Sequence, residues 1–161
     1  MKATARTRRP AGTAAEGRGL TTRFALGDGC DNERTLDAVE RLAVAQAGKG
    51  GLSADDAHFL GVAVREAAVN ALRHGRGRRG CSASVLVAVS ARGVLVATVR
   101  DHGPGFDPHA VADPLASANV RKGSGRGLLF MRRFADRLFF SFPRHGGAVV
   151  RLEKDLRPGS S

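Results

Sequence analysis

The chain has no tryptophan, no tyrosine, two cysteines and four lysines among 161 residues. Without Trp or Tyr, stacking on nucleic-acid bases would fall to Phe, His or Arg. Cys30 and Cys81 stand apart, with no Cys-x-x-Cys spacing. A structural zinc site therefore lacks its ligands, and two reduced thiols in a cytoplasmic protein are expected. No run approaches the ~18 apolar residues of a membrane span, so no membrane association is expected. Met1 to Arg23 contains no apolar block and does not read as a secretory signal. The length suits one domain and leaves no room for a second catalytic one.

What the chain does have is arginine. Basic residues number 26 against 15 acidic, a net charge of +11, and 22 of the 26 are Arg. A GC-rich coding bias raises arginine without regard to function, so the excess alone assigns none. The charge still favours acidic partners: nucleotide phosphates, nucleic acid or an acidic protein face. It is concentrated at the start, where Lys2, Arg6, Arg8, Arg9, Arg18 and Arg23 face Glu16 alone.

Residues 1–20 have no apolar periodicity and are expected to form a disordered basic arm. Residues 21–154 carry the domain, and residues 155–161 are expected to be a tail. Phe24, Ala25 and Leu26 suit a short strand. Leu36, Val39, Leu42, Ala43 and Gln46 recur at helical spacing and predict a helix from about Asn32 to Ala47. The glycines at 48, 50 and 51 would end it. Ser53 is a good N-cap, and Asp55 and Asp56 suit the first turn of a second helix reaching about His74. Ser82 to Ser90 and Val94 to Arg100 predict a hairpin. Residues 102–125 read as one long loop, of the kind that is usually functional or disordered. A helix from about Gly127 to Ala135 and strands at Arg137–Phe142 and Ala148–Glu153 complete the order. Hairpin-joined strands with helices set on one face predict an α+β fold, a two-layer sandwich with a mixed, mostly antiparallel sheet.

Three short segments carry polar chemistry. In the second helix, Leu60, Val64, Ala67, Ala68 and Ala71 share one face, while Glu66, Asn70 and His74 align at i, i+4 and i+8 on another. Spacing alone fits a solvated stripe, yet Val62, Ala63 and Val69 border it and no Lys or second Glu dilutes it. Asp101-His-Gly103-Pro-Gly105 follows a strand directly, so a carboxylate at a strand end meets glycines that permit close backbone approach. Gly123-Ser-Gly125-Arg126-Gly127-Leu128 opens a helix, where successive N–H groups and the dipole suit a phosphate. A Walker A loop is excluded, because no Gly-Lys-Ser/Thr occurs. A dinucleotide fingerprint does not fit, because no strand immediately precedes these glycines.

Taken in order, Glu66-xxx-Asn70, Asp101-x-Gly103-x-Gly105 and Gly125-x-Gly127-Leu128 resemble the nucleotide-binding boxes of the GHKL ATPase superfamily. The fuller segments Glu-Ala-Ala-Val-Asn-Ala-Leu-Arg-His-Gly, Val-Arg-Asp-His-Gly-Pro-Gly-Phe-Asp-Pro and Ser-Gly-Arg-Gly-Leu-Leu-Phe-Met-Arg-Arg-Phe-Ala-Asp resemble the anti-sigma factor serine kinases. The resemblance runs from about Thr21 to Lys154 and implies the Bergerat, histidine-kinase-like ATPase fold. It implies ATP or ADP as ligand, with Mg²⁺ held by Asn70 and Glu66 as the catalytic base. Asp101 would take the adenine amine, and Gly103 and Gly105 would admit the base. His74, Gly125, Gly127 and Leu128 would line the nucleotide, with Lys122 or Arg126 as charge clamps and residues 106–124 as a lid.

The resemblance implies two partners, a sigma factor and an anti-anti-sigma (STAS-type) protein whose serine is phosphorylated, and leaves a homodimer open. The last strand departs from the family in having Gly147-Ala148-Val149 where a hydroxyl residue usually supports adenine. A second departure is Arg121-Lys122-Gly123-Ser124 just before the final glycines, which would shift the γ-phosphate contact. Two alternatives remain at this point: a nucleotide-dependent partner-binding switch without phosphotransfer, and a basic nucleic-acid-binding protein using Arg73, Arg76, Arg78 and Arg79. The second lacks any helix-turn-helix, zinc or RNA-recognition signature. A histidine kinase with its dimerising helical pair, or a large ATPase with a second domain, is not expected in 161 residues.

Overall fold

A computed structural model describes residues 21–75, 81–90, 92–103, 126–144 and 146–156. Strand β1 is Thr21–Gly27, helix α1 Asn32–Lys49, helix α2 Ala54–His74, strand β2 Cys81–Val89, strand β3 Val94–Asp101, helix α3 Arg126–Phe134, strand β4 Arg137–Ser141 and strand β5 Val149–Asp155. The sheet order is β1-β2-β3-β5-β4. All four pairings are antiparallel. The expected two-layer α+β arrangement is present, and the sheet is antiparallel throughout the described residues. The basic arm at 1–20 and the lid expected at 106–124 lie outside those residues.

Local chemistry accounts for the helix ends. The Asp31 side chain accepts from the Arg34 amide at 3.2 Å and caps α1, while the Ser53 hydroxyl accepts from the Asp56 amide at 3.1 Å and caps α2. The turn from β1 into α1 is tied by Asn32, whose amide oxygen accepts from Gly27 N–H at 2.9 Å and whose amide nitrogen donates to Gly27 O at 3.2 Å. Strand β1 is longer than the Phe24–Leu26 expected, because pairing with β2 recruits Thr21 and Thr22 opposite Ala88 and Val87. Strand β5 runs to Asp155, and Leu156 is buried against Gly50, so the fold continues past the boundary expected at 154.

The register sets the core. Phe24, Val85, Val99 and Val150 lie in one row across four strands, next to the row of Val87, Ala97, Leu152 and Leu138. These rows meet Leu36, Val39 and Ala43 of α1 and Leu60, Val64, Ala67 and Ala71 of α2. Burying a side chain of Leu60's size contributes about 1.5–3 kcal/mol. The opposite face, with Arg23, Leu86, Thr98, Arg151 and Phe139, has no described helix over it.

Small residues let α2 sit close to its neighbours. A Cβ on Gly61 would run into the Val44 side chain of α1 and lie 3.2 Å from the Glu40 carbonyl oxygen. Arg65 closes the same seam, reaching Glu40 at 3.3 Å, Glu33 at 3.4 Å and Asp37 at 3.7 Å. Helix α3 packs along α2 on the other side, and the two run antiparallel. Gly127 meets Glu66 and Asn70 at one end, and Phe134 stacks on Phe59 at a centroid distance of 4.7 Å at the other.

Candidate functional site

Glu66 and Asn70 lie on α2, half-buried and turned away from the alanine face that covers the sheet. The first turn of α3 comes down on them. A Cβ at Gly127 would lie 2.9 Å from Glu66 Oε2, 3.2 Å from Asn70 Nδ2 and 3.3 Å from Glu66 Cβ. A methyl group here would crowd both side chains and oblige the Glu66 carboxylate to shift. The beginning of α3, the positive end of its dipole, is thereby set beside a carboxylate and an amide. The Glu66 and Asn70 part of the stripe is thus half-covered by α3, while the His74 side chain at its end is exposed.

The second cluster forms where β3 ends. Asp101 is 8% exposed and is the one buried charged residue among those described. Its Oδ1 accepts from the amide of Gly103 at 3.0 Å and from the amide of Ala148 at 3.1 Å. Its own amide donates to Ala148 O at 2.9 Å, continuing the β3–β5 ladder by one step. Among the described residues no donor reaches Oδ2, and no buried side-chain oxygen is left without a partner. The carboxylate is thus fixed through Oδ1 by two main-chain donors.

Glycines shape this corner as well. A Cβ on Gly103 would strike the carbonyl oxygen of His74, so the turn after β3 lies directly on the C-terminus of α2. The imidazole of His74 is exposed, and it is the residue's carbonyl that faces Gly103. Gly146 and Gly147 have φ of +93° and +84°, a left-handed backbone that side chains disfavour. A Cβ on Gly147 would collide with the Asp101 carbonyl oxygen, and one on Gly146 would lie 3.2 Å from Gly103 O.

Of the residues singled out from the sequence, Glu66, Asn70 and Gly127 meet at one point, and Asp101, Gly103 and the His74 carbonyl meet at another, both along α2. Leu128 is half-buried on α3, and Arg126 opens that helix. Gly105, Lys122 and Gly125 lie outside the described residues. Gly146 was not singled out from the sequence, and Gly147 and Ala148 were noted only for lacking the hydroxyl that usually supports adenine. Their one sequence signal is the Gly-Gly pair ahead of a strand, which marks a turn but not what the turn touches.

The donors present suit a nucleotide and a metal that arrives with it. Gly127 leaves the space a Cβ would fill, and Asp101 has an oxygen, Oδ2, to which no described residue donates. Among the described residues no group of three His, Cys, Asp or Glu side chains could hold an ion by itself. No described helix is long and apolar enough to cross a membrane.

Residues 31–154 match the family described as the Histidine kinase-like ATPase domain. Among solved structures, the crystal structure of full-length ShkA in complex with AMPPNP is similar, with a TM-score of 0.51 and 19% sequence identity. The match covers 81% of this chain and 31% of that one, so the chain spans under a third of the length of that protein. At this identity the likeness concerns the fold. No curated protein matches the chain.

Proposed function

The chain belongs to the histidine kinase-like ATPase domain family, and from that premise we propose that it is an ATP-dependent protein serine kinase and anti-sigma factor. Its protein substrate would be an anti-anti-sigma (STAS-type) partner, and its regulatory target a sigma factor. The supporting observation is the seating of Gly127 on Glu66 and Asn70, which puts a helix N-terminus beside a carboxylate.

The chemistry follows from these positions. Asp101 Oδ2 accepts a hydrogen bond from the adenine amine. The N–H groups at the start of α3 face the phosphates, helped by the dipole. The Asn70 amide oxygen would hold Mg²⁺, which supplies neutralisation of phosphate charge. Glu66 accepts the proton of the substrate serine hydroxyl. The serine oxygen forms a bond to the γ-phosphorus, the bond from that phosphorus to the β,γ-bridging oxygen breaks, and ADP leaves with that electron pair. Phosphorylation lowers the partner's affinity and frees the kinase to hold sigma.

A general base contributes about 10²–10⁴-fold in rate. Glu66→Gln is therefore expected to leave ATP affinity largely intact by calorimetry. Phosphate transfer to the co-purified, verified partner, read by mass spectrometry, is expected to fall by roughly that factor. Transfer equal to wild type would remove Glu66 as the base. No transfer by wild type would leave a nucleotide-dependent switch without phosphotransfer.

A further inference from the structure

We propose that Gly147 and the main-chain amide of Ala148 position the base-reading carboxylate, so that adenine selectivity is built from the backbone leading into β5 rather than from a side-chain hydroxyl. This rests on the reading of Asp101 as the acceptor for the adenine amine.

Asp101 has two neighbours in the described structure that hold its carboxylate, and both are amides: Gly103 at 3.0 Å and Ala148 at 3.1 Å, on the same oxygen. Two donors on Oδ1 fix the plane of the carboxylate, and no described residue donates to Oδ2. The Ala148 amide is delivered by the turn before it. Gly147 at φ +84° lies so close that a Cβ would collide with the Asp101 carbonyl oxygen, 3.2 Å from the Asp101 carbonyl carbon and 3.5 Å from Oδ1. Gly146 at φ +93° lies against Gly103 O in the same way. Residues 146–148 thus wrap residues 101–103 with main chain alone, and Gly147, Ala148 and Val149 bring no hydroxyl.

Two properties of Gly147 are separable. One is its left-handed backbone, which any residue with a Cβ would strain. The other is its approach to Asp101. A methyl group at 147 must push Asp101 outward, which draws Oδ1 off both amides and re-aims Oδ2. The phosphate end of the site lies on α2 and α3, around Glu66, Asn70 and Gly127, and does not touch residue 147. The effect therefore belongs to the choice of base and not to phosphate affinity, which distinguishes a positioning role from a general structural one.

The test compares wild type, Gly147→Ala, Asp101→Asn and Gly29→Ala in the full chain. Gly29 has φ +80° and nothing within 4 Å of a built Cβ, so its variant carries the backbone strain without the collision. Affinities for ATP, GTP and inorganic tripolyphosphate are measured by calorimetry, beside a thermal midpoint. Gly147→Ala is expected to lose at least tenfold in ATP-over-GTP preference, about 1.4 kcal/mol, with tripolyphosphate affinity unchanged. Gly29→Ala keeps the wild-type preference.

If Gly147→Ala keeps the preference while Asp101→Asn loses it, the proposal is overturned and the reading of Asp101 stands. If Gly147→Ala weakens ATP, GTP and tripolyphosphate alike, residue 147 is merely structural and the proposal is again overturned. If wild type binds ATP and GTP equally, the reading of Asp101 fails and takes the proposal with it. Should Gly147→Ala not fold, Gly146→Ala carries the test, because its methyl would press on Gly103 O from 3.2 Å. A partial loss of preference supports the proposal, and full retention overturns it.

Discussion

At one end of the β3–β5 pair, Asp101 is buried and takes two main-chain amides on a single oxygen. Towards the other end, Glu153 and Asp155 are held by arginine side chains on both of their oxygens. Arg137 donates to Glu153 Oε2 at 2.7 Å and reaches Asp155 with two bonds, at 2.6 and 3.0 Å, while Arg151 donates to Glu153 Oε1 at 2.7 Å. One strand pair therefore treats its carboxylates in two ways. The arginine-held groups have each oxygen engaged by a guanidinium. The amide-held group takes both of its described donors on one oxygen. A carboxylate suited to recognition is here the one whose partners are main chain, because amides fixed by a sheet and a tight turn cannot swing away.

The comparison would break most visibly if the two ends responded alike to loss of a carboxylate. Asp101→Ala leaves the Gly103 and Ala148 amides without their acceptor in a buried place and is expected to destabilise by about 1–3 kcal/mol, read as a lower urea midpoint. Glu153→Gln, whose arginine partners are about 40% exposed and which keeps a side chain able to accept from them, is expected to cost about 1 kcal/mol or less in the same titration. Equal midpoint shifts would show that main-chain and arginine anchoring carry the same weight.

A smaller and sharper effect is expected in acid. Burial pushes the Glu153 carboxyl up, but its hydrogen bonds from Arg137 and Arg151 outweigh that and bring it below the usual range. The Arg137 hydrogen bond likewise lowers Asp155. The Arg137 guanidinium is itself raised by hydrogen bonds to Asp155 and Glu153, so it stays charged at every usable pH. Carboxyls lowered in the folded state stabilise above their unfolded values, near pH 4 to 4.5 on the model-peptide scale, and that stabilisation is lost as pH falls through the folded values. Wild type is therefore expected to lose more stability than Arg137→Ala between about pH 5 and pH 3. Parallel acid profiles for the two proteins would sink this. The smallest effect is that of salt. Raising ionic strength at neutral pH should narrow the gap between wild type and Glu153→Gln, because these pairs are partly solvated. It should leave the Asp101→Ala gap unchanged.

Much of this was legible in the chain because it is local. Ser53 as a cap, the alanine face of α2 and the Glu66–Asn70 stripe follow from spacing, and spacing survives folding. The order of strands and helices was legible for the same reason, through turns marked by glycine. What contacts the stripe was not legible, since Gly127 is brought to Glu66 by the packing of α3 on α2 and by no local preference. The absence of a hydroxyl on β5 was visible. That an amide at Ala148 reaches Asp101 depends on a sheet pairing across 47 residues and on two left-handed glycines whose φ no composition reveals. Sequence therefore named the chemical groups, and tertiary contact supplied the reasons they stand together.

The sheet order also governs when the site can exist. In sequence, α1, α2, β2 and β3 come first, and β5 enters between β3 and β4 only after α3 has been made. Glu66 waits for Gly127, and Asp101 waits for Ala148. Contacts of such long sequence separation carry the loop-closure cost and form late in folding. Residues 21–101 can collapse on their own hydrophobic rows and still hold no competent pocket. Nucleotide would bind only chains that have docked their final quarter, and by mass action it would draw late intermediates toward completion while leaving early ones untouched. A truncated or stalled chain of this protein would be silent rather than half active.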